Sequence, residues 1–229
     1  MTTQASPEAV MSAPPPWQLE GRGYIIQVRV PDAVLASGSF IDARTPRVGR
    51  GRIVTVMFVD YERSDVGPYH ELLYIPGKLR IGPYRERSIT RIYVSSEASV
   101  VNGRRNWGIP KDCARFDVQY GDDGVDRISV RTMAGEAFAR LTLSAQGPTL
   151  PAPAQWVPRR LRTLAQLRDG QIYRYAPSAS GNFRFAKVRD WQFDARHFPD
   201  VASGEVVAAI KLPHFRMTFP VAEIETANL

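Results

Sequence analysis

The chain has little that could cross-link it, hold a metal or carry it into a membrane. Its one cysteine, Cys113, excludes an intrachain disulfide and gives no sign of an oxidising compartment. Its three histidines, His70, His197 and His214, are far apart in sequence. No carboxylate or cysteine stands at ligand spacing with them, so hydrogen-bonded structural histidines are expected, with no metal and no organic cofactor. No run approaches the roughly 18 apolar residues that a membrane span needs, and the N-terminus lacks the charged and apolar regions of a signal peptide. P-loop, G-x-G-x-x-G and internal repeats are also missing. These absences lead to an expectation of a soluble, cytoplasmic protein.

Lysine is scarce too. Only Lys78, Lys111, Lys187 and Lys211 occur among 30 basic residues, the rest being arginine. The net charge of +7 would admit a nucleic-acid or membrane-surface partner if the charge were clustered. It is not: the densest group, Pro158-Arg159-Arg160-Leu161-Arg162, is short. A solvated basic surface, or a field that attracts an anionic substrate, is the simpler reading, with no nucleic-acid and no membrane partner.

What is present is enough for one core: 229 residues, 44% of them hydrophobic. Residues 1–16 are small, polar and proline-rich and read as a disordered lead-in, with a single domain over 17–229. From there short strands dominate. They are read at Tyr24 to Val30, Gly51 to Tyr61, Glu71 to Ile75, Ser88 to Val94, Ala114 to Tyr120, Arg127 to Thr132 and Ala137 to Ser144. A second set follows at Leu161 to Leu167, Gln171 to Ala176, Asn182 to Phe193 and Glu205 to Pro213. Asp32 to Ser37 gives a helical turn, and Ser95 to Asn102 a short helix with a Ser cap, closed by Gly103. Many strands and few helices argue a mainly β, closed or sandwiched antiparallel sheet rather than a βαβ fold.

Lys111 is the most informative residue. A chain that uses arginine almost everywhere has reason to keep a lysine where an amine must lose its proton, which a guanidinium cannot do. A lysine snorkelling to solvent is the plain alternative. Burial, which the interior of a barrel would supply, disfavours the ammonium and can lower a lysine pKa by up to ~3 to 5 units, enough to make a nucleophile at neutral pH. Cys113, two residues on, would share its strand face and serve as a small buried hydrophobe.

The segment Gly103-Arg104-Arg105-Asn106-Trp107-Gly108-Ile109-Pro110-Lys111 resembles the active-site segment of the acetoacetate decarboxylase family, with Lys111 on the Schiff-base lysine. Tyr69-His70-Glu71 is similar to the segment carrying an active-site glutamate, and Arg22-Gly23-Tyr24 to the one carrying an active-site arginine. Ala208-Ala209-Ile210-Lys211-Leu212-Pro213 is similar to the family's last strand. The likeness spans Trp17 to Phe219. It implies a cone-shaped antiparallel β-barrel with extra strands and flanking helices, a homo-oligomer, and decarboxylation of a β-keto acid through an imine on Lys111. Glu71 would move protons, and Arg22 would orient it or meet the substrate carboxylate. Tyr69, Arg104, Trp107 and Ile109 would line the pocket of a small oxo acid. The chain departs from the family pattern at Asp112, where a second lysine is usual, at Arg105, where a glutamate is usual, and at Val56, where a second carboxylate is expected. These departures leave open an aldolase or dehydratase using the same imine, or a non-catalytic barrel binding a hydrophobic small molecule.

Overall fold

The computed structural model describes residues 10–36, 38–152 and 158–227. In chain order the elements are β1 (Trp17–Arg29), α1 (Asp32–Ala36), β2 (Ile53–Arg63), β3 (Tyr69–Ile75), β4 (Lys78–Ile81), β5 (Tyr84–Arg87) and β6 (Arg91–Val94). Then come α2 (Glu97–Trp107), β7 (Lys111–Cys113), β8 (Arg115–Tyr120), β9 (Val125–Arg131), β10 (Ala137–Ala152), α3 (Arg159–Arg162) and β11 (Leu164–Arg168). The last are β12 (Gln171–Tyr175), β13 (Ser178–Phe193), β14 (Glu205–Phe219) and β15 (Glu223–Thr226).

Ten strands form one sheet in the order β7-β6-β3-β2-β1-β14-β13-β10-β9-β8, antiparallel except for β6 with β7. It is a nearly closed, barrel-like sheet. Contacts between its two ends show the curl: the His70 ring of β3 stacks on Phe116 of β8, with centroids 5.7 Å apart. Tyr120 of β8 donates to Asp60 of β2 at 2.6 Å. A second, five-stranded sheet runs β15-β12-β11-β5-β4.

The strand period of two splits β1 to β3 into two faces. Tyr24, Ile26, Val56, Phe58 and Leu72 turn into the curl and meet Ile128, Val130, Leu141 and Leu143 from β9 and β10. Trp17, Leu19, Tyr61, Tyr69 and Leu73 turn outward, under α2 and the second sheet, beside Trp107, Ile109 and Tyr173. Both faces of β2 are therefore covered, which explains its nearly continuous apolar sequence. The expected second carboxylate position, Val56, is a fully buried residue of the inner core.

Several expected boundaries move. Residues 11–13, read as disordered, dock on α2. The Ala13 N–H donates to Asn102 Oδ1 at 2.8 Å, and Asn102 and Asn106 donate back to Met11 and Ala13 carbonyls. Residues 1–9 of that lead-in, and Ser37 of the expected helical turn, lie outside the described residues. The hairpin of β4 and β5 has no counterpart in the expected strands, and β14 runs on through Pro213 to Phe219. Helix α2 does not stop at Gly103. It continues to Trp107 and closes at Gly108, whose φ of 65° is the left-handed conformation that glycine adopts freely.

Candidate active site

Gly103 stays inside α2 because a lysine lies against it. A Cβ at Gly103 would sit 2.7 Å from Lys111 Cδ and 2.9 Å from Cε, so glycine is what lets the aliphatic stem pass. After the Gly108 stop, Ile109-Pro110 carries the chain into β7, where Lys111 pairs with Ile92 of β6. That parallel pairing aims the Lys111 side chain beneath α2.

Lys111 is 3% exposed. Its Nζ donates to Ser99 Oγ at 2.9 Å, to Glu71 Oε2 at 3.0 Å and to Tyr69 Oη at 3.5 Å. An ammonium has three N–H donors, and all three are used. Glu71, buried on β3, also accepts from Tyr61 Oη at 3.4 Å through its other oxygen. Ser99 reaches the amine from the helix, four residues before Gly103 and on the same face.

Electrostatics here differ from the expectation drawn for Lys111. Burial, the largest influence, pulls its pKa down, but Glu71, with a smaller contribution from Tyr69, outweighs it and carries the ammonium above the ordinary lysine value. The resting amine is therefore charged, and Glu71 is the acceptor in place to take its proton. Burial pushes Tyr69 up to about 12 and Tyr61 well above its usual value, so both remain neutral phenols that can donate.

Lys111 and Glu71 open on a cavity of about 520 Å³ lined mostly by apolar side chains, among them Trp17, Leu73, Trp107 and Ile109. Of the residues expected at the site, Lys111, Glu71, Tyr69, Trp107 and Ile109 come together there. The cavity is not the barrel interior, where burial of the lysine was expected. That interior is filled by side chains, and the cavity lies on the opposite face of the large sheet.

Two expected site residues fall elsewhere. Arg22 is an even-numbered residue of β1, on the face away from Lys111. It pairs with Glu62 and Asp60 and lies over the Tyr120 ring, 4.5 Å from its centroid. Arg104 spends Nε on the Lys111 carbonyl at 2.8 Å and Nη2 on Asp112 at 2.7 Å, and it does not line the cavity. Asp112 accepts from Arg91 as well, at 3.0 Å, so its charge faces two guanidiniums rather than the amine. Cys113 is half-buried and donates to Glu97 at 3.0 Å, with its thiol pushed up to about 12 mainly by burial. His197 does gather with carboxylates, Glu136 and Asp194, contrary to the sequence spacing, but Arg196 already bridges both. Ser99, Tyr61, Arg87 and Arg162 belong to the amine's partners or the cavity lining and were not expected from the sequence.

The sequence matches the family model described as acetoacetate decarboxylase (ADC) over residues 11–227. No curated protein matches it. Among solved structures it is similar to an acetoacetate decarboxylase-like enzyme from Sphingomonas wittichii, at 12% identity and a TM-score of 0.69, covering 99% of each chain. It is similar to acetoacetate decarboxylase from Legionella pneumophila at 12% identity and a TM-score of 0.67, covering 94% of this chain and 89% of that one. A third is the enduracididine biosynthesis enzyme MppR complexed with pyruvate, at 14% identity and a TM-score of 0.67, covering 95% and 93%. At these identities the structures establish the shared fold. No helix among the described residues is long and apolar enough to cross a membrane.

Proposed function

The chain belongs to the acetoacetate decarboxylase family, and from that premise we propose that it is a Schiff-base lyase that decarboxylates a β-keto acid through an imine on Lys111. The observation that carries this reading is a single buried lysine lining a mostly apolar cavity, hydrogen-bonded to a buried glutamate at 3.0 Å. Lys78 and Lys187 are exposed, and Lys211 pairs with Asp126 away from the cavity.

The reaction begins when Glu71 takes a proton from the ammonium and frees the Nζ lone pair. The amine adds to the keto carbon, and the carbonyl oxygen leaves as water, protonated in part by Glu71 or Tyr69. The resulting protonated imine draws the electrons of the bond to the carboxylate carbon, CO2 departs, and an enamine remains. A proton returns to the α-carbon, water hydrolyses the imine, and the ketone leaves. Among the described residues no arginine joins Glu71 and Tyr69 around Lys111 Nζ. The charged side chains that line the cavity besides Lys111 and Glu71 are those of Arg87 and Arg162. Arg22 is left out of this scheme, since its guanidinium is held by Glu62 and Asp60.

The same imine on pyruvate would support an aldol or dehydration reaction, the second reading. Its support is the fold shared with the pyruvate-complexed MppR. Incubation with acetoacetate or pyruvate, followed by borohydride and intact-mass measurement, tests for the imine; CO2 release then separates the two readings. No added mass with either acid would refute imine chemistry and favour a non-catalytic barrel. The proposal extends to a homo-oligomer, an expectation that comes from the family likeness, and to a cytoplasmic protein, the expectation drawn from the sequence composition.

A further inference from the structure

The cavity is longer than a short β-keto acid requires. From the reactive group at Glu71 its wall continues along β3 through Leu73 to Ile75. Thr55 of β2 pairs with Ile75, and Gln27 of β1 pairs with Thr55; both line the cavity at that level. Four residues of strand at ~3.3 Å each put this level about 13 Å from Glu71. That is the reach of an extended medium-length acyl chain, well beyond acetoacetate.

The wall between is apolar, with Met57 opposite Leu73 in register and Ile25 beside Met57. Several of its polar groups already have protein partners, although the buried Nε of Arg162 has none among the described residues. Gln27 donates to Thr55 at 2.8 Å. Besides Lys111 and Glu71, the charged lining residues are Arg87 and Arg162. Arg87 Nη1 donates to the Leu161 carbonyl, and Arg162 Nη1 to the carbonyls of Ala176 and Pro177. An occupant of this stretch gains chiefly by burying hydrocarbon against Leu73, Met57 and Ile25.

We propose that the preferred substrate is a β-keto acid with a medium-length apolar acyl chain. The chain lies along Leu73, Met57 and Ile25 while its keto carbon meets Lys111 Nζ. This rests on the Schiff-base reading and names its substrate class. Loss of CO2 and gain of one proton at the α-carbon then give a methyl ketone carrying the same chain.

The test is a series of acetoacetate, 3-oxohexanoate, 3-oxooctanoate and 3-oxodecanoate with the unaltered protein, reading kcat/KM and borohydride-trapped mass. Each buried methylene should raise kcat/KM about fourfold until the channel is full. The replacement Met57→Trp, which narrows the channel, should cut the preference for 3-oxodecanoate over acetoacetate by about tenfold or more. Adducts with acetoacetate together with a flat or falling series would leave the imine chemistry standing and overturn the proposal. So would an undiminished preference in folded Met57→Trp. Absence of an adduct with every member would overturn the imine chemistry and the proposal with it. A measurement without imine chemistry is the fluorescence of Trp17 and Trp107, which line the cavity. Decanoate should bind far more tightly than butyrate, and equal affinities would count against the channel.

Discussion

Two lysines in this molecule have nearly the same partners and different surroundings. Lys111 pairs with Glu71 and lies 5.1 Å from the centroid of the Tyr69 ring. Lys211 pairs with Asp126, itself bonded by Tyr24, and lies 5.5 Å from the centroid of the Tyr24 ring. Both pairs join a lysine to a buried carboxylate beside a tyrosine, one on each side of the large sheet. Lys111 adjoins a cavity of about 520 Å³, and Lys211 is not among the residues that line it. A lysine–carboxylate pair becomes a reactive amine only where a substrate can reach it. The Lys211 pair is structural: removing one partner of such a pair leaves an uncompensated charge and typically costs about 3 to 5 kcal/mol.

The sharpest break of this symmetry is to exchange the effects. Lys111→Ala should abolish turnover and borohydride trapping while the fold persists, whereas Lys211→Ala should lower the melting temperature and still trap. Trapping lost in Lys211→Ala at a temperature where it is folded would contradict the division. Next in size is Glu71→Gln. Removing the carboxylate that raises the Lys111 pKa leaves burial, which lowers it. The pH of half-maximal trapping should therefore fall, while turnover drops by about 10²-fold to 10⁴-fold for want of a proton carrier. A midpoint that rises or stays would show that Glu71 does not hold the ammonium.

Gly103→Ala should have a smaller effect with an unusual signature. Alanine is favoured over glycine inside a helix by about 1 kcal/mol, yet its Cβ would press on the Lys111 stem. Trapping should slow by roughly tenfold to 10²-fold with no loss of thermal stability. A parallel loss of stability would instead point to a packing defect. Smallest of all is Asp112→Asn, since Asp112 faces Arg91 and Arg104. The pH midpoint for trapping should move by well under one unit, and a larger fall would place that carboxylate beside the amine.

Much of the site was legible because its signal is local. The Pro-Lys step after the Trp107-Gly108-Ile109 turn marks the amine, and Tyr69 and Glu71 share a strand face by alternation. What failed was the choice of face. Arg22 sits in a segment similar to the family's, but β1 has a register irregularity between Gly21 and Gly23, and its buried positions pass there from Trp17, Leu19, Gly21 and Gly23 to Tyr24, Ile26 and Val28; the sequence alone does not say which face meets the cavity. For the same reason the barrel interior and the outer cavity were confused, since β2 is apolar on both sides. Arg104 was misplaced with the helix end: ending α2 at Gly103 puts it in a turn, whereas in the continuous helix it reaches Asp112. Ser99 had a signal that was not used, its spacing of four residues from a glycine inside the same helix. The strand content followed from composition and period, but the β4–β5 hairpin did not, because Lys78–Ile81 and Tyr84–Arg87 are short and rich in charge.

The central claim is that the space beside Lys111, and not the lysine–carboxylate pair alone, makes a reactive amine. Peptide mapping after borohydride treatment with acetoacetate tests it directly, because Lys111 and Lys211 compete in one molecule. The account predicts added mass on the peptide containing Lys111 and none on the one containing Lys211. Added mass on Lys211, or spread over the exposed Lys78 and Lys187 with Lys111 unmodified, would contradict it.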